Sequence, residues 1–372
     1  MVEWKKLGEI SDIGTGSNNR EDACENGLYP FYVRSKDVLR INSYLYDEEA
    51  ILIPGEGGIG EIFHYINGKY GLHQRTYRVH PISRNISGRY LYYYLFENFG
   101  NYIEHKSYKS TAASIRKPML LDFPVVIPSL SEQSRIVSIL DTFTASIENL
   151  KEQIAERRKQ YEYQRDQLLD LEGKDIIEKL SFGNDFQLKA RIGWQGLTKK
   201  EYRNTGDYKL VTGTDFTNDL RIDFNKCVYV DKERYEQDEY IKLKVGDVLI
   251  TKDGTLGKVA YIDVLGMPAT LNGGVFVVRD PKHRVLPKFT MYYLTSYHFK
   301  KWMQQNHTTG SIQHLTQKLL SSFTIPVLEQ SVQSRIVSIL DTFEASIKNL
   351  EEQLALREKQ YEYYRNQLLT FE

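Results

Sequence analysis

Apolar residues recur at alternating steps of three and four along a segment that occurs twice, at 131–172 and at 331–372. The copies lie 200 residues apart and are identical at 31 of their 42 positions. Neither contains Gly or Pro, and both are rich in residues that favour helix. Because the apolar seam is sustained over about five heptads, each copy is predicted to form one long helix of a coiled coil.

The two helices are predicted to pair with each other in antiparallel orientation. Each would be roughly 63 Å long, whereas the linker after the first helix, residues 173–185, can reach at most about 43 Å. The domain after the linker must therefore start near the far end of the first helix. Pairing centred on Ile154 and Leu354 places Phe143 against Tyr364.

The stretches that precede the helices, 1–130 and 186–330, arrange similar segments in the same order. Each is predicted to contain a strand, a β-hairpin, a tyrosine-rich buried helix and a polar stretch, followed by a short strand with proline. Their sequence identity is low, so the scaffold is kept while the exposed loops differ. The predicted fold class is α+β, with two pseudo-symmetric domains of mixed α/β structure separated by the two long helices.

Two correspondences fix the alignment of the domains. YKLVTGTDF at 208–216 corresponds to YPFYVRSKDV at 29–38. The segment DVLITKDGTLGKVAYI at 247–262 corresponds to the glycine-rich hairpin at 49–68. The framework elements therefore keep their order while the loops between them differ in length and chemistry, as expected of a pair of domains that read two different things.

Charge is balanced overall but unevenly distributed. The chain has 49 Lys and Arg against 49 Asp and Glu. Residues 1–130 carry 15 of each sign, residues 186–330 carry 21 basic against 15 acidic, and the remainder carries 13 against 19. A basic domain beside acidic helices suits one polyanionic partner and one protein partner. Ordinary charge scatter explains the first domain equally well.

Cysteine usage and hydropathy bear on the compartment. Cys24 and Cys227 fall in different domains and suggest no disulfide framework, which fits a reducing environment. The chain opens with no charged-then-apolar leader, and no apolar run approaches about 18 residues. We expect a soluble, cytoplasmic protein without a membrane partner.

Two glycine-rich motifs resemble nucleotide sites only superficially. Gly55, Gly57 and Gly60 spell G-x-G-x-x-G, but a dinucleotide site needs a helix to follow, and GEIFHYI alternates like a strand. A tight β turn with positive φ angles is the better interpretation. The segment from Gly254 to Lys258 lacks the spacer and the hydroxyl residue of a phosphate-binding loop.

No catalytic or metal-ligating pattern stands out. Three histidines cluster at 64–80 and three more at 298–314, without cysteines or carboxylates at metal spacing. No nucleophile and base occur at a recognisable spacing. We therefore expect no catalytic residue and no metal ligand.

The chain resembles the specificity (S) subunit of Type I restriction–modification systems. The resemblance covers the whole chain and rests on the repeated helix with its preceding proline, PSLSEQSRIVSIL and EQSVQSRIVSIL, together with WKKLGEI near the start and GDVLITKDGTLGKV. It implies target-recognition domains at 1–130 and 186–330, held apart by antiparallel spacer helices. Each domain would read one half of a bipartite site in double-stranded DNA.

The resemblance also implies partners and cofactors. The helices would bind two modification (methyltransferase) subunits, which transfer methyl from S-adenosylmethionine to adenine N6. A restriction subunit can join and cleave distant DNA with ATP and Mg. The S subunit itself would bind no cofactor and catalyse nothing. Antiparallel helices give the domains an approximate dyad, so they could face one groove about 34 Å apart, with the helices as a ruler for the gap.

Base-reading side chains are expected in polar loops, since Arg pairs with guanine and Asn or Gln with adenine. Some of them will contact phosphate instead, and for each a solvated surface side chain is an equally good interpretation. Candidates in the first domain, besides the hairpin around Glu56, are Arg34, Ser35, Lys36, His73, Gln74, Arg75, Lys106, Tyr108, Lys109 and Arg116. Candidates in the second are Thr212, Thr214, Lys252, Asp253, Thr255, Asn272, Thr308, Thr309, Ser311, Gln313 and His314.

Two other functions compete with this one. A non-catalytic coiled-coil adaptor with two protein-binding modules would show no sequence-selective DNA binding. An enzyme that acts on DNA unaided would methylate or cleave DNA as the pure chain.

Overall fold

A computed structural model divides the chain into two compact units. Unit 1 comprises residues 1–152 and 351–372, and unit 2 comprises residues 153–350. Each long helix therefore begins in one unit and ends in the other. The residues described are 3–107, 114–191, 196–253, 256–306 and 315–371.

Unit 1 is built on a six-stranded sheet in the order β2-β7-β5-β6-β3-β4, in which only the β3–β6 pair is parallel. A separate antiparallel pair joins β1 to β8. The elements are β1 (Glu3–Lys6), α1 (Leu7–Ile10), β2 (Ser11–Thr15), β3 (Tyr29–Tyr32), β4 (Leu39–Ile41), β5 (Tyr46–Pro54), β6 (His64–Leu72), β7 (Thr76–Pro81), α2 (Gly88–Ser107), α3 (Lys117–Leu121), β8 (Pro124–Ile127), the first half of α4 (Leu130–Leu169) and the second half of α9 (Gln330–Leu369).

Unit 2 contains sheets in the orders β10-β16-β13-β14 and β12-β11-β15, plus the antiparallel pair β9–β17. The elements are the second half of α4, β9 (Glu178–Ser181), β10 (Gln187–Lys189), β11 (Tyr208–Val211), β12 (Val228–Val230), α5 (Lys232–Glu236), β13 (Val248–Thr251), β14 (Val259–Tyr261), β15 (Ala269–Leu271), β16 (Val275–Arg279), α6 (Pro287–Thr295), α7 (Tyr297–Gln305), α8 (Gln317–Ser321), β17 (Thr324–Val327) and the first half of α9 (Gln330–Leu369).

The two units repeat one topology, which confirms the predicted α+β fold with duplicated domains. The order β10-β16-β13-β14 repeats β2-β7-β5-β6, and β12-β11-β15 repeats β4-β3-β6. The long strand β6 of unit 1 is represented by two short strands, β14 and β15, so the second sheet is divided. The parallel pair is retained, as β11 with β15.

The long helices run antiparallel within each unit. In unit 1 the ring of Phe143 stacks on Tyr364, with centroids 5.4 Å apart, as the sequence predicts. In unit 2 Tyr161 lies against Phe343 at 6.4 Å. These pairs join the first half of one helix to the second half of the other, which requires opposite directions. Among the described residues, no helix is both long and apolar enough to cross a membrane.

Two sequence-based boundaries differ from the structure. The segment 173–185, interpreted as a linker, contains β9, whose register pairs Leu180 with Ile325. It is therefore the second-unit counterpart of β1, which pairs with β8 in the same way. The apolar signal of this strand is too short to recognise, because only Leu180 is buried. The spacer helices begin at Leu130 and Gln330 and end at Leu169 and Leu369, rather than filling the whole repeat.

The glycine-rich segment after β5 is a hairpin turn, as predicted. Gly57, Gly58 and Gly60 have φ angles of 70°, 66° and 74°, a region that side chains with a Cβ rarely adopt. Strand β6 follows the turn, and no helix N-terminus is available to hold a pyrophosphate.

One glutamine fastens each domain to the start of its long helix. Gln133 is fully buried; its amide donates to the carbonyls of Pro128 and Asn85 at 2.9 and 2.8 Å and accepts from Ser87 N at 2.8 Å. Gln333 is also fully buried and repeats the same three bonds, with the partners Leu328, Arg284 and Leu286. Both copies of the domain are therefore fixed by the same side-chain hydrogen bonds.

Candidate nucleic-acid interface

In unit 1 the ends of β3, β5 and β6 meet the loop before α3, and backbone hydrogen bonds join them. His73 N donates to Tyr32 O at 3.0 Å, and Gly55 N donates to Arg75 O at 2.9 Å. Ile115 N donates to Gly55 O at 2.8 Å. We call this meeting point junction 1. Its frame consists of main-chain groups, so it places few demands on the side chains that it presents.

Unit 2 contains the same frame, which we call junction 2. Asn272 N donates to Val211 O at 2.9 Å, Lys252 N to Gly274 O at 2.9 Å, and Leu315 N to Lys252 O at 3.0 Å. These bonds repeat those of junction 1 one by one.

The matched bonds and strand registers define counterparts between the junctions. Position by position they differ in chemistry, although both carry a carboxylate at one place. The pairs, unit 1 first, are Arg34 with Gly213, Ser35 with Thr214, Glu56 with Asp253, His73 with Asn272, and Arg75 with Gly274.

Junction 1 gathers two arginines on one carboxylate. Arg34 and Arg75 each donate through Nη1 to Oε2 of Glu56, at 2.9 and 3.0 Å. All three side chains remain about half exposed. The Arg75 hydrogen bond, followed by the charge of Arg34, lowers the pKa of Glu56, so the carboxylate stays ionised. Two guanidinium groups and one carboxylate leave a net positive cluster at the surface.

The other polar residues of junction 1 are held by local hydrogen bonds. His73 is buried, and its Nδ1 accepts from Arg75 N at 3.0 Å. Burial, and then the charges of Arg34 and Arg75, lowers the pKa of His73 and favours the neutral ring. Gln74 donates to Asn19 Oδ1 at 2.7 Å, and Ser35 donates to Asp37 O at 2.9 Å. The arginines, rather than His73, are therefore placed to reach a ligand.

Junction 2 presents hydroxyl and amide groups. The hydroxyls of Thr212 and Thr214 lie 2.8 Å apart. Asn272 donates to the Tyr202 hydroxyl at 2.8 Å, and its Oδ1 accepts from Gly274 N at 2.5 Å. The Lys252 ammonium lies 5.3 Å from the centre of the Phe276 ring, a cation–π distance.

Comparison with known proteins identifies the family of the two domains that contain these junctions. The family model of the Type I restriction modification DNA specificity domain matches residues 1–157 and 195–356. The chain belongs to this family. The first matched segment contains junction 1 and the second contains junction 2, so each junction lies within one copy of the specificity domain.

Relatives extend along the full chain. A Haemophilus influenzae protein assigned as a type I restriction enzyme specificity subunit is 28% identical over 394 residues, covering 100% of this chain and 96% of that protein. The Type I restriction enzyme EcoR124I/EcoR124II specificity subunit of Escherichia coli is 31% identical over 254 residues. That match covers 65% of this chain and 60% of the Escherichia coli protein.

The fold is shared with a solved specificity subunit. The Type I restriction–modification system S subunit from M. genitalium aligns with a TM-score of 0.64, covering 100% of this chain and 97% of that chain. Because the identity is 15%, this likeness concerns the fold. The specificity-domain topology is therefore retained while most side chains change.

The structure brings together part of the predicted site of this specificity-domain protein. Arg34, Ser35, His73 and Arg75 meet around Glu56 at junction 1, whereas the neighbouring Gln74 donates to Asn19 instead. Thr212, Thr214, Lys252, Asp253 and Asn272 meet at junction 2.

The remaining predicted residues lie at the edges of the junctions or outside the described residues. Lys36 is exposed in the loop after β3, and Arg116 is exposed at the N-terminus of α3, one residue after the junction residue Ile115. Lys106 belongs to the last turn of α2, and its side chain is outside the description. The other predicted positions outside the described residues are Tyr108, Lys109, Thr255, Thr308, Thr309, Ser311, Gln313 and His314.

The cleft at junction 1 also receives a residue from a distant loop, which the sequence pattern does not reveal. Arg20 lines the same open cleft as Arg34, Glu56 and His73. Its signal is the polar run Ser17 to Asp22, but only the bridge between Asn18 and His73 places that run here. Within the described residues, no group of three His, Cys, Asp or Glu side chains could hold a metal ion.

Proposed function

We propose that this chain is a specificity subunit that reads a bipartite site in double-stranded DNA, one half-site at each junction. The observation that carries the proposal is the repetition of one main-chain frame with different polar side chains. A frame of backbone bonds holds the loops in place, while the presented residues supply donors and acceptors for base edges. Two junctions with different residues would recognise two different half-sites.

The charge of the second domain supports contact with a polyanion. Residues 186–330 carry an excess of six positive charges, 21 against 15. Phosphate contacts supply much of the affinity for DNA and steer the encounter, whereas base contacts select the sequence. Junction 1 supplies its own positive cluster through Arg34 and Arg75.

We further propose that the long helices bind two modification (methyltransferase) subunits, one at each copy of the repeat. Tyr163 and Tyr363 occupy the same position of the repeat and are 64% and 58% exposed. Large exposed aromatic side chains are typical of protein-binding surfaces. Two equivalent surfaces suit two copies of one partner.

Catalysis and cofactors belong to the partners in this proposal. S-adenosylmethionine would be bound by the modification subunits, and ATP and Mg by a restriction subunit where one is present. The chain itself would transfer no methyl group and cleave no DNA. Incubation of the pure chain with DNA and S-adenosylmethionine should therefore leave the DNA unmodified, and modification by the pure chain would contradict this assignment.

The direct test is a map of modified adenines in cells with and without this gene. The proposal predicts that one bipartite motif loses its modification when the gene is deleted and regains it when the gene is restored. An unchanged map would reject DNA specificity and favour the adaptor function.

A second test addresses the gap between the half-sites. Each long helix begins in one unit and ends in the other, so we propose that helix length sets the gap. Deletion of one heptad from both helices removes about 10 Å of helix, or about three base pairs of DNA. The modified motif should keep both half-sites and lose that much of its gap. Unchanged spacing would refute the ruler role.

A further inference from the structure

The cluster of Arg34, Glu56 and Arg75 has a geometry that affinity for phosphate does not explain. Each guanidinium donates through Nη1 to the same carboxylate oxygen of Glu56, at 2.9 and 3.0 Å. No other hydrogen bond or ion pair of these two guanidinium groups is found within the described residues. Arg34, Glu56 and His73 line an open cleft, and the hydrogen bond to Glu56 holds the Arg75 guanidinium beside it, so the remaining N–H groups of both arginines can meet a ligand there.

Stability does not account for the cluster either. The three side chains are 42–56% exposed, and ion pairs at that exposure contribute little to folding because water screens them. The carboxylate does have one definite effect, which is to fix the direction of two long side chains that would otherwise rotate freely.

The negative charge of Glu56 discriminates between ligands. A carboxylate beside the arginines repels a phosphate and removes part of the positive charge that attracts it. Guanine, by contrast, carries no net charge, and its O6 and N7 accept a pair of hydrogen bonds from one guanidinium fork. The same carboxylate can accept a hydrogen bond from the amino group of cytosine. The cluster is thus complementary to a G·C base pair.

Of the three charged residues in this cluster, only the acidic one has a charged counterpart at junction 2. Asp253 occupies the place of Glu56, whereas the counterparts of Arg34 and Arg75 are Gly213 and Gly274. Neither glycine has a positive φ angle, so other residues fit the backbone there. An added Cβ at Gly213 would meet Thr251 Cγ2 at 3.4 Å, and one at Gly274 would meet Asn272 Oδ1 at 3.1 Å.

We propose that Arg34 and Arg75 read guanine at a G·C pair in the half-site of unit 1, and that Glu56 is the positioning residue that aims them. The half-site of unit 2 is read without an arginine fork at the equivalent place. This assignment rests on the proposed function, because it names the bases that junction 1 selects.

The test uses the complete complex with its modification subunits and two DNA libraries, each randomised in one half-site. Arg75→Gln and Arg34→Gln should each reduce the preference for guanine at one position of the first half-site by roughly tenfold to a hundredfold. Arg75→Lys should lose the preference as well, since a lysine keeps the charge but cannot form the fork. Preferences in the second half-site should not change.

Glu56→Gln separates positioning from charge. It removes the negative charge and so makes the cluster more positive. Overall affinity for DNA at low salt should therefore rise or stay level, while the preference for guanine falls. A purely structural role would lower affinity for every sequence equally. Arg84→Gln, an exposed arginine of unit 1 away from the junction, is the matched control and should change no preference.

A gain of specificity provides the converse measurement. Gly213→Arg combined with Gly274→Arg places guanidinium groups beside Asp253 at junction 2. The doubly substituted complex should acquire a preference for guanine in the second half-site, and adding Asp253→Asn should weaken it. Thermal unfolding checks that the variants fold.

Results that contradict the guanine assignment can be told apart from results that contradict the proposed function. If wild-type complex modifies no specific sequence, the specificity function itself fails. If wild type is specific but Arg75→Gln and Arg34→Gln weaken modification of all sequences equally, and each lowers the dependence of binding on salt by about one phosphate contact, the arginines bind phosphate and the guanine assignment is overturned. An unchanged guanine preference in both variants overturns it too.

Discussion

The two junctions share their frame and differ in nearly everything that they present. Junction 1 displays a charged cluster built on Glu56, whereas junction 2 displays hydroxyl and amide groups that bond to one another. The attachment of each domain to its long helix behaves in the opposite way, because Gln133 and Gln333 make the same bonds. The junctions are held by main-chain hydrogen bonds, and their side chains differ between the two units. The attachments to the long helices are held by a glutamine side chain, and that glutamine is present in both units.

The largest expected effect on stability comes from a carbonyl group that has a different hydrogen-bond donor in each unit. The carbonyl of Leu72 in unit 1 accepts from Asn18 N at 3.2 Å, whereas its counterpart Leu271 in unit 2 accepts from the buried guanidinium of Arg191 at 3.0 Å. Arg191→Met should destabilise unit 2 by about 5 kcal/mol, because it leaves several buried acceptors unpaired. Urea unfolding combined with hydrogen exchange in unit 2 measures the loss.

The control for this variant is Arg203→Met, which removes an exposed arginine of the same unit and should cost little. Equal losses in the two variants would show that the buried guanidinium has no special role. Unit 1 should keep its exchange protection in both cases.

The next largest effect on stability tests the glutamine that fastens each domain to its long helix. Gln133→Leu removes three hydrogen bonds from a fully buried site and leaves Ser87 N and two carbonyls without partners. Unit 1 should lose about 4 kcal/mol, and Gln333→Leu should cost unit 2 a similar amount. Gln160→Leu on the exposed face of the first helix is the control. Very different losses from the two buried sites would break the equivalence of the two attachments.

A smaller effect depends on pH and occurs in one unit only. Burial raises the pKa of Glu344 to about 7, despite the Arg221 guanidinium at 3.9 Å, and the corresponding position of unit 1 is Thr144. Between the ordinary carboxyl pKa and 7, the unfolded chain has lost this proton while the folded chain retains it. The stability of unit 2 should therefore fall by about 3 kcal/mol as pH rises through that window, and change no further above it.

Glu344→Thr should remove this slope and make unit 2 respond like unit 1. The Glu344 carboxylate also faces Tyr161, Tyr292, Asp341 and Lys288, so the comparison is made between wild type and variant at each pH. Unfolding measured at pH 5 and pH 8 is sufficient. A slope that persists in the variant would assign the pH dependence to those neighbours.

The smallest effect on folding is expected at junction 1. Glu56→Gln should leave the unfolding midpoint of unit 1 unchanged, because the ion pairs that it weakens are exposed to water. Differential scanning calorimetry beside Gln133→Leu makes the contrast direct. A marked destabilisation would mean that the cluster supports the fold, and that side chains as well as backbone carry junction 1.

The duplicated fold could be predicted because its signals are long and repeated. The heptad seam of 42 residues predicted the two helices, and the short linker after the first helix predicted their opposite directions, with which the contact of Phe143 with Tyr364 agrees. The strand β9 could not be recognised, since four residues with one buried position carry little pattern. The division of β6 into β14 and β15 was hidden for a similar reason, because both pieces have only three residues.

The site was harder to predict because it depends on pairing between distant strands. The sequence predicted Arg34 and Arg75 as members of two separate polar loop segments, and nothing in it joined those segments. Only the parallel register of β3 and β6, which pairs Tyr32 with Leu72, brings the two guanidinium groups to one carboxylate. The contact of Glu56 with both arginines therefore depends on tertiary structure, and so does the presence of Arg20 in the same cleft.

The division of the long helices between the units also has a consequence for synthesis of the protein. Unit 2 is one uninterrupted stretch, 153–350, whereas unit 1 needs residues 351–372, whose Leu369 is fully buried in its core. Domains fold as units while the chain emerges from the ribosome. The unit that is translated first is thus the last to be completed, and until then its unfilled core offers an apolar surface for a chaperone.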